Sequence, residues 1–217
     1  MKTAIVIGAT GLVGKHLTIK LLNDLRYKAV KVFARRSLNI NNPKLEEYIV
    51  NFDEIEIWKD KIRGDDLFSA MGTTIRKAKS KKLQYKIDVT YQHEFAKAAS
   101  ENGVAGYFLV SSSGANPKSK LFYFRIKSEL DAMVGILHFK KIRIFRPSLL
   151  TGERDDKRFG EKTVERFLNI LIPMLSSLKG HRPIIGEIVA NVMIASANDL
   201  GEEKFKIYEL DDIFKMA

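Results

Sequence analysis

The chain has no cysteine, which excludes a disulfide framework and a thiolate metal site alike. Long apolar runs are also missing. The longest, residues 167–178, is interrupted by Asn169, Pro173, Ser176 and Ser177 and is too short to cross a bilayer. No low-complexity linker or internal repeat divides the 217 residues, so residues 1–217 are expected to form a single domain. Neither a helix-turn-helix nor a zinc-finger pattern is present. His16, His93, His138 and His181 lack metal-ligand spacing, which leaves no metal expected. A strand pattern that begins at once leaves no room for a signal peptide, and a soluble cytoplasmic protein without a membrane partner is expected.

Acidic residues are in deficit: 37 Lys and Arg against 26 Asp and Glu give a formal charge of +11. Such a surface attracts anions, though a lysine-rich composition also serves solubility. The densest cluster, Arg76-Lys77-Ala78-Lys79-Ser80-Lys81-Lys82, has no aromatic until Tyr85 and so lacks the stacking residues of a single-strand nucleic-acid binder.

What is present starts at the N-terminus. Ile5, Val6 and Ile7 lead into glycines at 8, 11 and 14, and Leu12, Val13, Leu17, Leu21 and Leu22 follow at helical spacing. A strand, a tight turn and a helix N-terminus in that order form a pyrophosphate cradle. Gly8 permits a sharp exit, Gly11 a close backbone approach and Gly14 close helix–strand packing, with Thr10, Leu12 and Val13 completing the turn.

Apolar runs at 3–7, 28–34, 47–52, 66–71, 105–111 and 141–146 read as strands. Helical patterns occupy 12–26, 55–62, 84–102, 122–138, 160–178 and 186–199. This alternation predicts an α/β fold: a Rossmann-like, doubly wound parallel sheet in three α/β/α layers, with a small C-terminal substrate-side region. Ligands of such sheets bind at the carboxyl ends of the strands. Arg35 and Arg36 follow the second strand, where a ribose 2′-phosphate needs a cation and a free 2′-OH meets Asp or Glu. NADP (as NADPH) is therefore expected ahead of NAD, the alternative being two solvated arginines at a strand end. By position, Phe52 and Asp53 would flank the adenine, and Gly72, Thr73 and Thr74 would approach ribose and phosphates.

Ser111, Ser112 and Ser113 end the fifth strand, and Tyr123 precedes Lys127 by one helical turn. A phenol with a reference pKa of about 10 needs a neighbouring ammonium to work near neutrality. Lys127 provides one and could also hold a nicotinamide ribose, while a strand-end serine holds the substrate oxygen. Ser111 joins the cofactor-facing set.

Several motifs together resemble an atypical short-chain dehydrogenase/reductase, nearest to the Tat-interacting-protein-like branch of NAD(P)-binding proteins. They are Gly-Ala-Thr-Gly-Leu-Val-Gly (8–14), Met-Gly-Thr-Thr (71–74), Leu-Val-Ser-Ser-Ser-Gly-Ala (109–115), Tyr-Phe-Arg-Ile-Lys (123–127) and Ile-Phe-Arg-Pro-Ser-Leu-Leu-Thr-Gly-Glu-Arg (144–154). The resemblance implies Tyr123 as acid/base, Lys127 as its partner, Ser112 (or Ser113) as the oxygen-binding serine, and Pro147 and Ser148 beside the nicotinamide. It implies hydride transfer to or from a small carbonyl or alcohol. The alternatives are a cofactor-sensing protein that engages a protein partner or a second copy, and a sugar-nucleotide epimerase. Asp88 stands where many members carry the asparagine of a proton relay. Residues 155–160 read as a loop over the nicotinamide end.

Overall fold

Residues 1–151 and 182–217 are described by the structure, a computed structural model. Seven strands form one parallel sheet: β1 (Lys2–Ile7), β2 (Tyr27–Ala34), β3 (Leu45–Ile49), β4 (Asp66–Ser69), β5 (Gly106–Val110), β6 (Lys141–Phe145) and β9 (Phe205–Tyr208). Their order is β3-β2-β1-β4-β5-β6-β9, with registers such as Val6 opposite Val32 on one side and Phe68 on the other. The order reverses between β1 and β4, which opens the ligand crevice of a doubly wound fold. A separate two-stranded ladder pairs β7 (Leu150–Thr151) with β8 (Ile184–Ile185).

Alternation along β1 sends its side chains to two cores. Ala4 and Val6 face helices α1 (Leu12–Asn23), α7 (Gly186–Ala197) and α8 (Leu210–Met216), meeting Leu17, Leu21, Val189, Met193 and Ile213. Ile5 and Ile7 face the opposite layer, where Phe95, Ala99, Leu130 and Val134 project from α5 (Tyr91–Glu101) and α6 (Phe122–Gly135). Because both faces are covered, the central strands read as continuous apolar runs. Trp58 lies within the second core against Phe33, Phe52 and Phe95, which makes it a packing residue.

Some boundaries differ from the sequence reading. β3 ends at Ile49 rather than running over 47–52, because the Asn51 side chain accepts from Asp53 N–H and starts a 3-10 turn at Phe52–Glu54. The helical pattern at 55–62 splits into α2 (Ile55–Trp58) and a 3-10 turn at Lys59–Lys61. Trp58 Nε1 donates to Asn51 O, and Asn102 Nδ2 donates to the Lys59 and Ile62 carbonyls. The helix expected over 84–102 begins earlier, at α4 (Lys81–Tyr85), where the Ser80 hydroxyl accepts from Leu83 N–H at 3.0 Å. It then passes through a π turn, Lys86–Thr90, before α5. A short α3 (Ile75–Ala78), β9 and α8 go unforeseen. The helix expected at 160–178, the loop at 155–160 and His181 lie outside the described residues.

Candidate functional site

The glycine turn leaves β1 through Gly8 at φ +80°, a conformation open to glycine. A Cβ there would lie 2.4 Å from the backbone of Ala70 and Met71, and one on Gly14 would lie 2.0 Å from Gly8 O. Both glycines are thus required by close backbone approach. Gly11 caps α1 with no side-chain acceptor, and α1 has no acidic residue in its first turn. The N–H groups of Leu12, Val13 and Gly14 therefore begin a twelve-residue helix without an internal anion. Thr10 and Gly11 are exposed at the rim. The residues present fit a dinucleotide pyrophosphate.

Arg35 and Arg36 follow Ala34, both exposed. Glu47, the nearby edge-strand carboxylate, is engaged by Ser37 Oγ and Leu38 N–H, each donating at 2.7 Å. Phe52 turns into the core, against the expectation that it would flank an adenine. Asp53 is exposed, and its carboxylate receives Tyr91 OH at 2.6 Å and Lys86 Nζ at 2.5 Å. These partners hold Asp53 below the usual carboxylate range, Lys86 contributing most.

Beyond β4 the chain runs through Gly72, Thr73 and Thr74 to α3, whose first turn the Thr74 hydroxyl caps. Thr73 N–H donates to Asp88 Oδ1 at 2.8 Å, and Gln84 Nε2 to Oδ2 at 3.3 Å. Asp88 sits in the π turn and is fully buried; such turns recur at functional sites. Gln92 answers the altered helix pattern by donating to Asp88 O while accepting from Ser69 Oγ. A Cβ on Gly72 would stand 3.5 Å from Asp88 Oδ1 and 3.9 Å from Lys127 Nζ, so the two charges face each other across a bare Cα.

Lys127 is 3% exposed, and among the described residues no hydrogen bond or salt bridge closes on its ammonium. Burial opposes its charge, yet Asp88, then Tyr123 and Asp131, hold it above the ordinary lysine value. Burial pushes the Asp88 carboxyl up, against the pull of Lys127, Thr73 N–H and Gln84. Tyr123, half-buried in the first turn of α6, places its ring centre 5.8 Å from Lys127 Nζ. Phe124, its neighbour, packs over Gly114.

Ser111 and Ser112 are buried at the end of β5. Ser112 Oγ donates to Ser113 O at 3.1 Å, and Ser113 N–H donates to Pro147 O at 2.9 Å. The serine turn is thereby tied to buried Pro147, beyond β6. Ser148 Oγ donates to Arg182 O at 2.5 Å.

Sequence reasoning missed the polar group behind Lys127. Asp131, one turn further along α6, accepts from Arg146 Nε at 3.1 Å and Nη2 at 3.0 Å, while Arg146 Nη1 reaches Glu209 at 2.9 Å. Burial raises the Asp131 carboxyl against the nearby Ser111 hydroxyl and Arg146. The Ser111 hydroxyl approaches without closing a hydrogen bond. The Lys127/Asp131 spacing of four was a visible signal.

The chain matches no family model. It is 31% identical over 209 residues to the mitochondrial protein fmp52 of Emericella nidulans, covering 91% of this chain and 90% of the relative. With mitochondrial FMP52 of Candida glabrata it shares 35% over 204 residues, covering 90% and 85%. Protein HTATIP2 of Rattus norvegicus is 29% identical over 174 residues, covering 78% and 72%. Among solved structures, the Bordetella bronchiseptica enzyme WbmH in complex with NAD+ superposes with a TM-score of 0.73 at 15% identity, over 96% of this chain and 75% of that one. The UDP-glucose 4-epimerase of Thermotoga maritima with UDP-glucose gives 0.71 at 16%, over 96% and 76%. These structures establish a Rossmann-like fold. The curated relatives overturn the cytoplasmic expectation, since both FMP52 proteins are named as mitochondrial. HTATIP2 is a homologue, but the FMP52 proteins align over more of the chain, so the Tat-interacting-protein-like branch is not singled out. With 31% and 35% identity over nine tenths of its length, the chain belongs to the FMP52 family.

Proposed function

We propose that this protein is a nicotinamide-dinucleotide oxidoreductase that uses NADP in preference to NAD, acts on a small carbonyl or alcohol, and works in mitochondria like its named relatives. One observation carries the reading: a buried, charged Lys127 beside Tyr123, at the sheet edge that also holds the Gly8–Gly14 turn. The N–H groups opening α1 would hold the pyrophosphate, and Arg35 and Arg36 the 2′-phosphate. Lys127 would donate to the nicotinamide ribose, and the Gly72–Thr74 backbone would border it. Pro147 would wall the ring. With the dinucleotide bound there, its nicotinamide would make a hydride available to, or take one from, the substrate carbon.

The chain's own residues do the rest. Ser112 donates to the substrate oxygen, Ser113 being the second choice. Tyr123 gives its hydroxyl proton to that oxygen as the carbonyl is reduced, and takes it back in the reverse direction. Lys127 stabilises the phenolate left behind. Fluorescence titration with NADPH and NADH, followed by oxidation of bound NADPH with a panel of aldehydes, tests the reading. Tighter NADPH binding and turnover support it; equal binding removes the NADP assignment.

A second reading, a cofactor-sensing interaction protein, draws support from Asp88, whose carboxylate occupies the space beside Lys127. It requires NADPH binding without turnover. Sugar-nucleotide epimerisation is favoured less, because Arg35 and Arg36 suit a 2′-phosphate.

A further inference from the structure

We propose that Glu47 is a positioning residue for the cofactor's 2′-phosphate, setting NADP over NAD by fixing the turn that carries Arg35 and Arg36; this rests on the NADP reading. The chain leaves β2 from a fixed point, because Val50 N–H donates to Ala34 O at 2.9 Å beyond the last paired residues of β2 and β3. Three residues on it is fixed again. Ser37 Oγ and Leu38 N–H both donate to Glu47, each at 2.7 Å. Arg35 and Arg36 are the whole of the span between these two anchors.

Glu47 lies opposite Val32 in the β2–β3 register, and Val32 belongs to the core shared with α1. Paired residues of neighbouring strands project to one face, so Glu47 draws the turn over the face of the sheet that α1 covers. Leu38 and Ile40 pack against that same core. Ser37 Oγ accepts from Asn39 N–H at 3.0 Å, and Asn39 takes φ +56°, a left-handed conformation that asparagine tolerates. The turn thus has one defined shape, with apolar anchors in Leu38 and Ile40 and a polar anchor in Glu47.

The charges are sorted to match. Arg35 and Arg36 are exposed, and among the described residues no salt bridge engages either. The carboxylates of β3 are engaged: Glu46 accepts from Tyr48 OH at 3.1 Å and lies 4.0 Å from Lys31 Nζ, while Glu47 holds the turn. A ribose 2′-OH calls for a carboxylate aimed at it, and a 2′-phosphate for uncommitted guanidinium forks. Holding two adjacent forks on a short, tied span lowers the entropy lost when both close on one phosphate. The negative charge of Glu47 itself opposes that phosphate, which makes the sign of its effect decisive. Positioning predicts that removing Glu47 weakens NADPH binding; repulsion predicts that it tightens.

Fluorescence titration with NADPH and NADH tests this on the wild type, Glu47→Ala, Glu47→Gln and Ser37→Ala. We expect Glu47→Ala to bind NADPH about 5- to 10-fold more weakly, with NADH within about 2-fold of wild type. The other two variants should lose less, since glutamine keeps an acceptor for Leu38 N–H and Ser37→Ala keeps the Glu47–Leu38 bond. A merely structural role would weaken both cofactors together, so the NADPH/NADH ratio is the readout. In an Arg35→Ala/Arg36→Ala background, Glu47→Ala should change NADPH affinity less than about 2-fold, because the arginines carry its effect. A ratio unchanged from wild type, tighter NADPH binding, or a full effect retained without the arginines each overturns the inference and leaves the NADP assignment standing. Equal binding of NADPH and NADH by the wild type overturns the assignment and the inference together. Should Glu47→Ala fail to fold, judged by its thermal melt, Glu47→Gln and Ser37→Ala decide by the same ratio.

Discussion

Lys127 Nζ stands 5.8 Å from the centre of the Tyr123 ring, four residues along α6. An ammonium this deeply buried would shed its proton readily in an apolar setting. Asp88 from the π turn, with Tyr123 and Asp131 from α6, reverses that tendency. The Gln84 amide and Thr73 N–H steady Asp88, and Arg146 steadies Asp131 from behind.

Asp88→Asn removes the carboxylate that most strongly favours the charge of Lys127 while keeping its shape. Burial then dominates, and the ammonium should lose its proton at lower pH than in the wild type. NADPH affinity measured from pH 7 to 10.5 should weaken earlier in the variant than in the wild type. Superimposable profiles would show that Asp88 does not hold the charge of Lys127.

Arg35→Ala and Arg36→Ala test the 2′-phosphate assignment. Each guanidinium that meets the phosphate contributes about 1.5–3 kcal/mol as a charge-assisted hydrogen bond, or roughly 10- to 100-fold in Kd. NADPH binding should fall by that factor in at least one variant, with NADH changed less than 2-fold. Loss of both cofactors in parallel would place the arginines elsewhere.

Gly8→Ala puts a Cβ 2.4 Å from Ala70 and forces alanine to φ +80°. The cost should exceed about 1 kcal/mol, lowering Tm by more than about 2–4 °C for a chain of this size. NADPH binding should weaken together with stability. Calorimetry and titration on one preparation check both.

Asp66 marks the far end of the sheet from the site. It accepts from Tyr27 OH at 2.7 Å and Lys2 Nζ at 3.0 Å, yet burial raises its carboxyl above the usual range despite them. A raised native value means that the folded state holds this proton more tightly than the unfolded chain. Its contribution is therefore fully present below the unfolded value of about 3.9 and lost as pH rises through the native one. The difference in Tm between wild type and Asp66→Asn should shift against the wild type as pH rises from 4 to 7. A constant difference would contradict this.

The sequence made the site's strand ends legible because each sits where an apolar run stops at glycine, serine or arginine. Gly8, Ser111 and Arg35 are such stops, and the structure brings them to one edge. β9 escaped notice because Phe205-Lys-Ile-Tyr is a charged edge strand with Phe205 38% exposed, so it lacks the apolar run of a central strand. α8 has only seven residues, and its signal was the capping box of Glu209 and Asp212. The π turn leaves no mark in the hydrophobic period, so the meeting of Asp88 with Lys127 rests on tertiary packing. Phe52 misled by position, since a strand-end aromatic can turn inward as readily as outward.

The central claim, that Tyr123 is the proton donor of a nicotinamide-dependent reduction, is tested most directly by Tyr123→Phe in single-turnover oxidation of bound NADPH by an aldehyde. General acid catalysis contributes about 10²–10⁴-fold. The account predicts a rate lower by that factor, with NADPH affinity within about 2-fold of wild type. An unchanged rate in the variant would contradict it.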